Sequence, residues 1–226
     1  MTALLEARGI GRRSPREPAS NEDRWLLRGI SITVEPGERV AVVGPSGAGK
    51  TLLLRSLALL DPVDEGEVLW RAEPIPDEMV PAYRRQAIYL HQRAALLEGT
   101  VEANLRRPFG FAVADGGYDR GRVRELLSAL GRDEGFFGRS TADLSGGEAQ
   151  IAAFLRAIQL DPRVLLLDEP TVALDRDAAA AIERLVEAWF GARAGERSLV
   201  WVSHDPDQAG RMTTRVIRLS AGRMAA

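Results

Sequence analysis

The residues that decide the fold are Gly44-Pro45-Ser46-Gly47-Ala48-Gly49-Lys50-Thr51, between the run RVAVV at 39–43 and a helical pattern from 50 to about 60. They spell G-x-x-x-x-G-K-[ST] in the setting that motif demands, after a strand and opening a helix. A strand apolar at nearly every position is buried on both faces, as in a parallel sheet. The glycines let the backbone curl so that successive N–H groups point at phosphate oxygens, and the helix N-terminus adds partial positive charge. Lys50 is the single lysine among 30 basic residues. A compact ammonium can reach between two phosphates where a planar guanidinium does not fit, which explains why one position escapes the general use of arginine. Thr51 offers a hydroxyl to Mg2+. A plain strand–turn–helix with no ligand leaves the lone lysine without a reason.

Around this stretch, strands and helices alternate. Residues 4–10 read as a strand, and 14–24 (SPREPASNEDR) as an exposed loop; 30–35 (ISITVE), 66–70 (GEVLW) and 86–91 (QAIYLH) read as strands. From about 100 to 160 the pattern is helical, with a Gly-rich break at 108–121. A buried strand follows at 163–167, a helix at 177–191, and strands at 198–202 and 215–219 separated by a helical turn. Strands at both ends with a helical block between them predict an α/β architecture. The strand VLLLDE ends in two carboxylates, where side chains of a parallel sheet face its ligand crevice. Asp168 is placed to hold the Mg2+ shell, and Glu169 to polarise an attacking water as general base.

Composition narrows the classes. Lys+Arg total 30 against Asp+Glu 32, a net charge of −2, which argues against a protein that grips nucleic acid by bulk charge. Cys is 0, so no disulfide framework or thiolate metal site is expected, and a cytoplasmic setting fits. No apolar run approaches the roughly 18–20 residues of a membrane span. The first residues, MTALLEARGIGRR, lack the apolar core of a secretory signal. Any membrane role is expected to come through a partner.

Four further pieces stand in a known order. Leu144-Ser145-Gly146-Gly147-Glu148 resembles the signature of ATP-binding cassette (ABC) ATPases; Gln92 resembles the family's Q-loop glutamine, Ala173-Leu174-Asp175 its D-loop and His204 its switch histidine. Read locally, Ser145 and Glu148 form a capping box that starts a helix, and Gly146 and Gly147 leave N–H groups bare for an anion. The resemblance runs from about 4 to 224. It implies a P-loop core with a mainly parallel sheet (1–92 and 161–226), an N-terminal antiparallel β subdomain and an inserted helical signature subdomain (93–160). It also implies ATP and Mg2+ as cofactors. The ATP-binding set is then Gly44 to Thr51 with Leu52 and Gln92, and the metal set Thr51, Gln92 and Asp168. Glu169 and His204 are the catalytic residues, and Asp175 belongs to the D-loop. Leu144 to Glu148 act in trans on the nucleotide of a second copy, in a head-to-tail homodimer. The partner is an integral-membrane permease, gripped by residues from about 93 to 108, and the location is the cytoplasmic face of the inner membrane. No nucleic-acid partner is expected.

The sequence departs from the family pattern in places. Where an aromatic commonly stacks on adenine, this chain has Gly11-Arg12-Arg13, so Arg12, Arg13 and Trp25 are the stacking candidates. Leu52 stands where a threonine is usual, and Ala149-Gln150-Ile151 lacks the common arginine. The fragments RAIQLDPRVLLLDEP and LVWVSHDPDQ look most like the ATPase subunit of a small iron-efflux exporter. Three rival readings fit the residues less well. A soluble ABC ATPase acting on DNA or ribosomes usually carries paired cassettes. A non-catalytic nucleotide-binding module would be expected to lose Glu169 or His204. A small-molecule kinase leaves Ser145 to Glu148 unexplained.

Overall fold

The computed structural model describes residues 2–15, 25–114 and 116–225. In chain order the strands and helices are β1 (Leu5–Arg13), β2 (Trp25–Val34), β3 (Arg39–Val43), α1 (Lys50–Leu57), β4 (Glu65–Trp70), β5 (Glu73–Pro74), α2 (Val80–Gln86) and β6 (Ala87–Leu90). Then come α3 (Val101–Arg106), α4 (Arg120–Ala129), α5 (Gly146–Ile158), β7 (Val164–Asp168), α6 (Arg176–Gly191), β8 (Ser198–Val202), α7 (Pro206–Met212), β9 (Arg215–Ser220) and β10 (Arg223–Ala225). Most of the loop expected at 14–24 lies outside the described residues.

The chain divides into two compact units. The first runs to Tyr89, resumes over Arg163–Asp168 and again from Ala194; the second is Leu90–Pro162 with Glu169–Arg193. The expected boundaries at 92/93 and 160/161 differ from this division mainly in residues 169–193, which carry α6.

In the first unit a sheet of order β10-β9-β3-β8-β7-β6 has parallel pairs β3/β8, β3/β9 and β7/β8. Every residue of β7 and β8 is buried, which is why both strands read as unbroken apolar runs. The other sheet, β2-β1-β4-β5, pairs antiparallel throughout. Its strands alternate instead; Leu5, Ala7 and Ile10 of β1 and Leu27, Ile30 and Ile32 of β2 enter the same core as Leu53, Leu54 and Leu57 of α1. The antiparallel β subdomain implied by the resemblance is this sheet. The second unit is helical. α5 buries Ile151, Ala152, Phe154, Leu155 and Ile158, and α6 buries Ile182, Leu185, Val186 and Trp189. The stretch expected to be helical from 100 to 160 contains irregular backbone beyond the Gly-rich break. After α4 only short 3-10 turns, Glu134–Gly138 and Thr141–Asp143, precede α5. No helix among the described residues is long and apolar enough to cross a membrane.

Candidate functional site

In the first unit, parallel register aligns the strand ends. Val42 pairs with Val202, and Asp168 pairs with Val202 from the other side. The chain therefore leaves β3 into Gly44, leaves β8 into Ser203-His204 and ends β7 on Asp168, all along one edge of one sheet. That edge is where open α/β sheets bind ligands.

The loop from 44 to 51 is shaped by two glycines that nothing else could replace. Gly44 has φ 155, and a Cβ there would lie 2.2 Å from the Leu219 carbonyl oxygen. Gly49, the N-cap of α1, has φ 98, and its Cβ would meet Leu27 Cδ2 at 2.8 Å. Between them Pro45, Ser46 and Gly47 are exposed and Ala48 is buried. Lys50 is only 6% exposed, and its Nζ donates to the carbonyls of Gly44 (2.8 Å) and Pro45 (3.1 Å). Thr51 is exposed, while Leu52 packs on the core.

Asp168 is 2% exposed, and its Oδ2 accepts a hydrogen bond from the Tyr89 hydroxyl at 3.0 Å. Burial, then the neighbouring Asp168 carboxylate, push the Tyr89 phenol well above its usual range, so it stays a proton donor. His204 is exposed in a tightly pinned turn. Ser203 Oγ accepts from Asp205 N (3.0 Å) and donates to Gln208 Oε1 (2.8 Å), and the Asp205 side chain caps α7. Thr51 and Asp168 form a donor set of hard oxygens. Among the described residues no cluster of three or more His, Cys, Asp or Glu could hold a metal. That set suits Mg2+, which keeps most of its waters and shares substrate phosphates, and it does not suit zinc.

The three stacking candidates are already engaged with one another and with acidic neighbours. The Arg13 guanidinium lies 4.7 Å over the Trp25 ring and pairs with Glu65 (3.1 Å). Arg12 pairs with Asp64 (3.0 Å), whose carboxylate also accepts Arg13 N at 2.8 Å. Trp25 is half-buried, and its ring covers Gly11, where a Cβ would lie 2.7 Å from Trp25 Cζ3.

In the second unit, Gln92 Nε2 donates to Glu169 Oε2 at 2.9 Å. Glu169 itself has φ 48, a conformation L residues rarely adopt and one that recurs at functional sites. Ser145 caps α5 in a full capping box: its Oγ accepts Glu148 N (3.2 Å) and Glu148 Oε2 accepts Ser145 N (3.0 Å). Glu148 also pairs with Arg139 and, at 3.7 Å, with Arg132. The backbone N–H of Ser145, then Arg139, hold its carboxyl below the usual range. A Cβ at Gly147 would lie 3.0 Å from the Ala173 carbonyl oxygen, so the backbones at Gly147 and Ala173 pack closely; a Cβ at Gly146 would meet nothing within 4 Å. Asp175 caps α6 by accepting Ala178 N (2.8 Å). His91 accepts Arg93 N (2.9 Å) on Nδ1, and its carbonyl accepts Gln150 Nε2 (3.1 Å).

Tyr89, Arg139 and Gln150 enter these contacts although no sequence motif gives them a role. Tyr89 gave a weak sign, a phenol in an otherwise apolar strand, since a buried tyrosine usually finds a partner for its hydroxyl. Arg139 gave none.

The family profile described as ABC transporter matches residues 27–172. The Fe(3+) ions import ATP-binding protein FbpC 2 of Rhodococcus jostii is 36% identical over 100% of this chain, and the chain spans 62% of that protein. The phosphate import ATP-binding protein PstB 2 of Natronomonas pharaonis is 37% identical, over 88% of this chain and 73% of the relative. Among solved structures, the dimeric structure of the bacterial ABC transporter cassette MJ0796 matches with a TM-score of 0.85 at 27% identity, covering 99% of this chain and 97% of that one. A post-hydrolysis dimer of the same cassette, bound to ADP and Pi, matches with a TM-score of 0.83 at 27% identity over the same shares of the two chains.

Proposed function

The chain belongs to the ABC transporter family, and on that premise we propose that it is the ATP-hydrolysing subunit of a transporter whose membrane-spanning part is a separate permease. The observation that carries this reading is the phosphate loop, which follows β3 and leads into buried Lys50 at the start of α1, on the same sheet edge as Asp168 and His204. Lys50 and the backbone N–H groups of the Gly44 to Thr51 loop, Pro45 excepted because it has none, hold the β- and γ-phosphates of ATP. Thr51, Asp168 and the amide oxygen of Gln92 would hold Mg2+, whose charge offsets that of the phosphates. Glu169 takes a proton from the attacking water, whose oxygen bonds to the γ-phosphorus as the bond to the ADP oxygen breaks, giving ADP and phosphate. Gln92 occupies one Glu169 oxygen, so the other addresses the water. His204 contacts the γ-phosphate, and Leu144 to Glu148 of a second copy close on it, as the dimeric cassettes support. The base stacks on the Arg13–Trp25 pair, with Arg12 at its edge.

The relatives named above are importers of inorganic ions. Import of such an ion is therefore the direction we favour over the iron efflux that the fragments at 156–170 and 199–208 suggest. The permease places the subunit at the cytoplasmic face of the membrane. The test is Glu169→Gln: it should bind ATP and dimerise, by gel filtration with MgATP, yet hydrolyse at less than about 1% of the wild-type rate. Turnover at the wild-type rate removes Glu169 from its assigned role.

A further inference from the structure

Resting on the ATPase reading above, we propose that Tyr89 is a positioning residue: its hydroxyl holds the Asp168 carboxylate in the orientation from which it grips the hydration shell of the nucleotide-bound magnesium. Nothing in the sequence motifs marks this tyrosine, and its role is to orient Asp168 without itself touching phosphate or metal.

Asp168 closes a strand in which every residue is buried, and it is itself 2% exposed. A carboxylate so enclosed needs a donor from the protein, because water cannot reach all of its lone pairs. Tyr89 provides one, at 3.0 Å on Oδ2. With Oδ2 engaged, Oδ1 is the oxygen left to accept from a metal-bound water. The donor is also well fixed. Tyr89 lies on β6, the strand beside β7 in the sheet, and its ring packs on the hydrophobic core of the first unit.

The nearby cations are committed elsewhere. Lys50 Nζ is bonded to Gly44 and Pro45. Arg55, one turn past Thr51 on α1, is held by Asp61 in a two-point pair at 2.6 and 2.9 Å. Orientation of this carboxylate therefore rests on a neutral donor, which fixes its direction without neutralising the charge the metal shell needs. Groups that orient metal-holding side chains act on affinity for the metal more than on affinity for the rest of the ligand.

Tyr89→Phe separates the two, since it keeps the ring and removes only the donor. The measurement is binding of ATP with EDTA and with Mg2+, together with the Mn2+ electron paramagnetic resonance spectrum of the protein–ATP complex. Expected is wild-type affinity in EDTA, a loss of roughly tenfold in the affinity gained from Mg2+, and a changed Mn2+ spectrum. An unchanged magnesium gain with an unchanged spectrum overturns the proposal. An equal loss in EDTA and in Mg2+ also overturns it, because it marks general damage to the pocket. If the wild-type protein gains nothing from Mg2+, the ATPase reading fails and this inference falls with it; a normal wild-type gain that survives in Tyr89→Phe defeats this inference only.

Discussion

Glu148 accepts the backbone N–H of Ser145 while Arg139 and Arg132 approach its carboxylate from a different stretch of chain. The capping half of this arrangement is legible in sequence, because Ser-x-x-Glu is a local spacing. The arginine half is not, since only the folded path of residues 130–145 brings Arg139 there. Its role can be measured. Arg139 is 38% exposed, so water screens the pair and the coupling should be only about 0.5–1 kcal/mol. Arg139→Ala should lower stability by that amount in urea denaturation. In a Glu148→Gln background the same change should cost less, leaving only the loss of the Arg139 hydrogen bond to the Asp143 carbonyl (3.1 Å), because the neutral amide needs no cation. A cycle with no coupling would show that the arginine does not support the signature tip. The Gln92–Glu169 hydrogen bond was hidden for the same reason: each residue was identified by its motif, but their meeting is a tertiary fact.

Secondary structure was legible where patterning is strong. β3, β7 and β8 stand where the apolar runs stood, and α6 follows its apolar spacing. The short hairpins were missed, and their turns show why. β9 and β10 are joined by Ala221 (φ 47) and Gly222 (φ 73), and β4 and β5 by Arg71 (φ 54) and Ala72 (φ 65). Positive φ at both central residues is the mark of a type I′ turn, for which Asn-Gly is the usual signal. Arg-Ala carries no such signal, so the fold imposes the turn against local preference. An L residue in the left-handed region costs about 1–2 kcal/mol, partly offset by the greater freedom glycine has when unfolded. Ala72→Gly should therefore stabilise the protein by roughly 0.5–1 kcal/mol, read as a higher melting temperature. A lower melting temperature would mean the turn is not strained.

At the scale of the whole molecule, the alternation of strands and helices announced an α/β protein with a helical block. The sequence did not reveal that Glu169–Arg193 groups with that block, since no composition change marks the passage from Asp168 to Glu169. Stability against acid is likewise a property of the ensemble of carboxylates. Asp61 is held below its ordinary 3.8 by Arg55, Asp64 by the N–H of Arg13 and then Arg12, and Glu148 below its ordinary 4.5 by the N–H of Ser145 and then Arg139. The unfolded chain binds more protons than the folded one between those ordinary values and the lowered ones. Their contribution is complete above about pH 5 and is lost as pH falls through the folded values. The melting temperature should thus be level from pH 7 to about 5 and drop steeply below about 4. A melting temperature that stayed level to pH 3 would show these pairings to be without weight.

The ammonium of Lys50 bridges two carbonyls of the very curl it belongs to. The chain thereby rigidifies its own cradle while it folds, instead of leaving a floppy ribbon for the ligand to tidy. Capture of a triphosphate then resembles docking into a finished mould. Its speed is governed by diffusion and charge, and little affinity is forfeited to ordering the backbone on arrival.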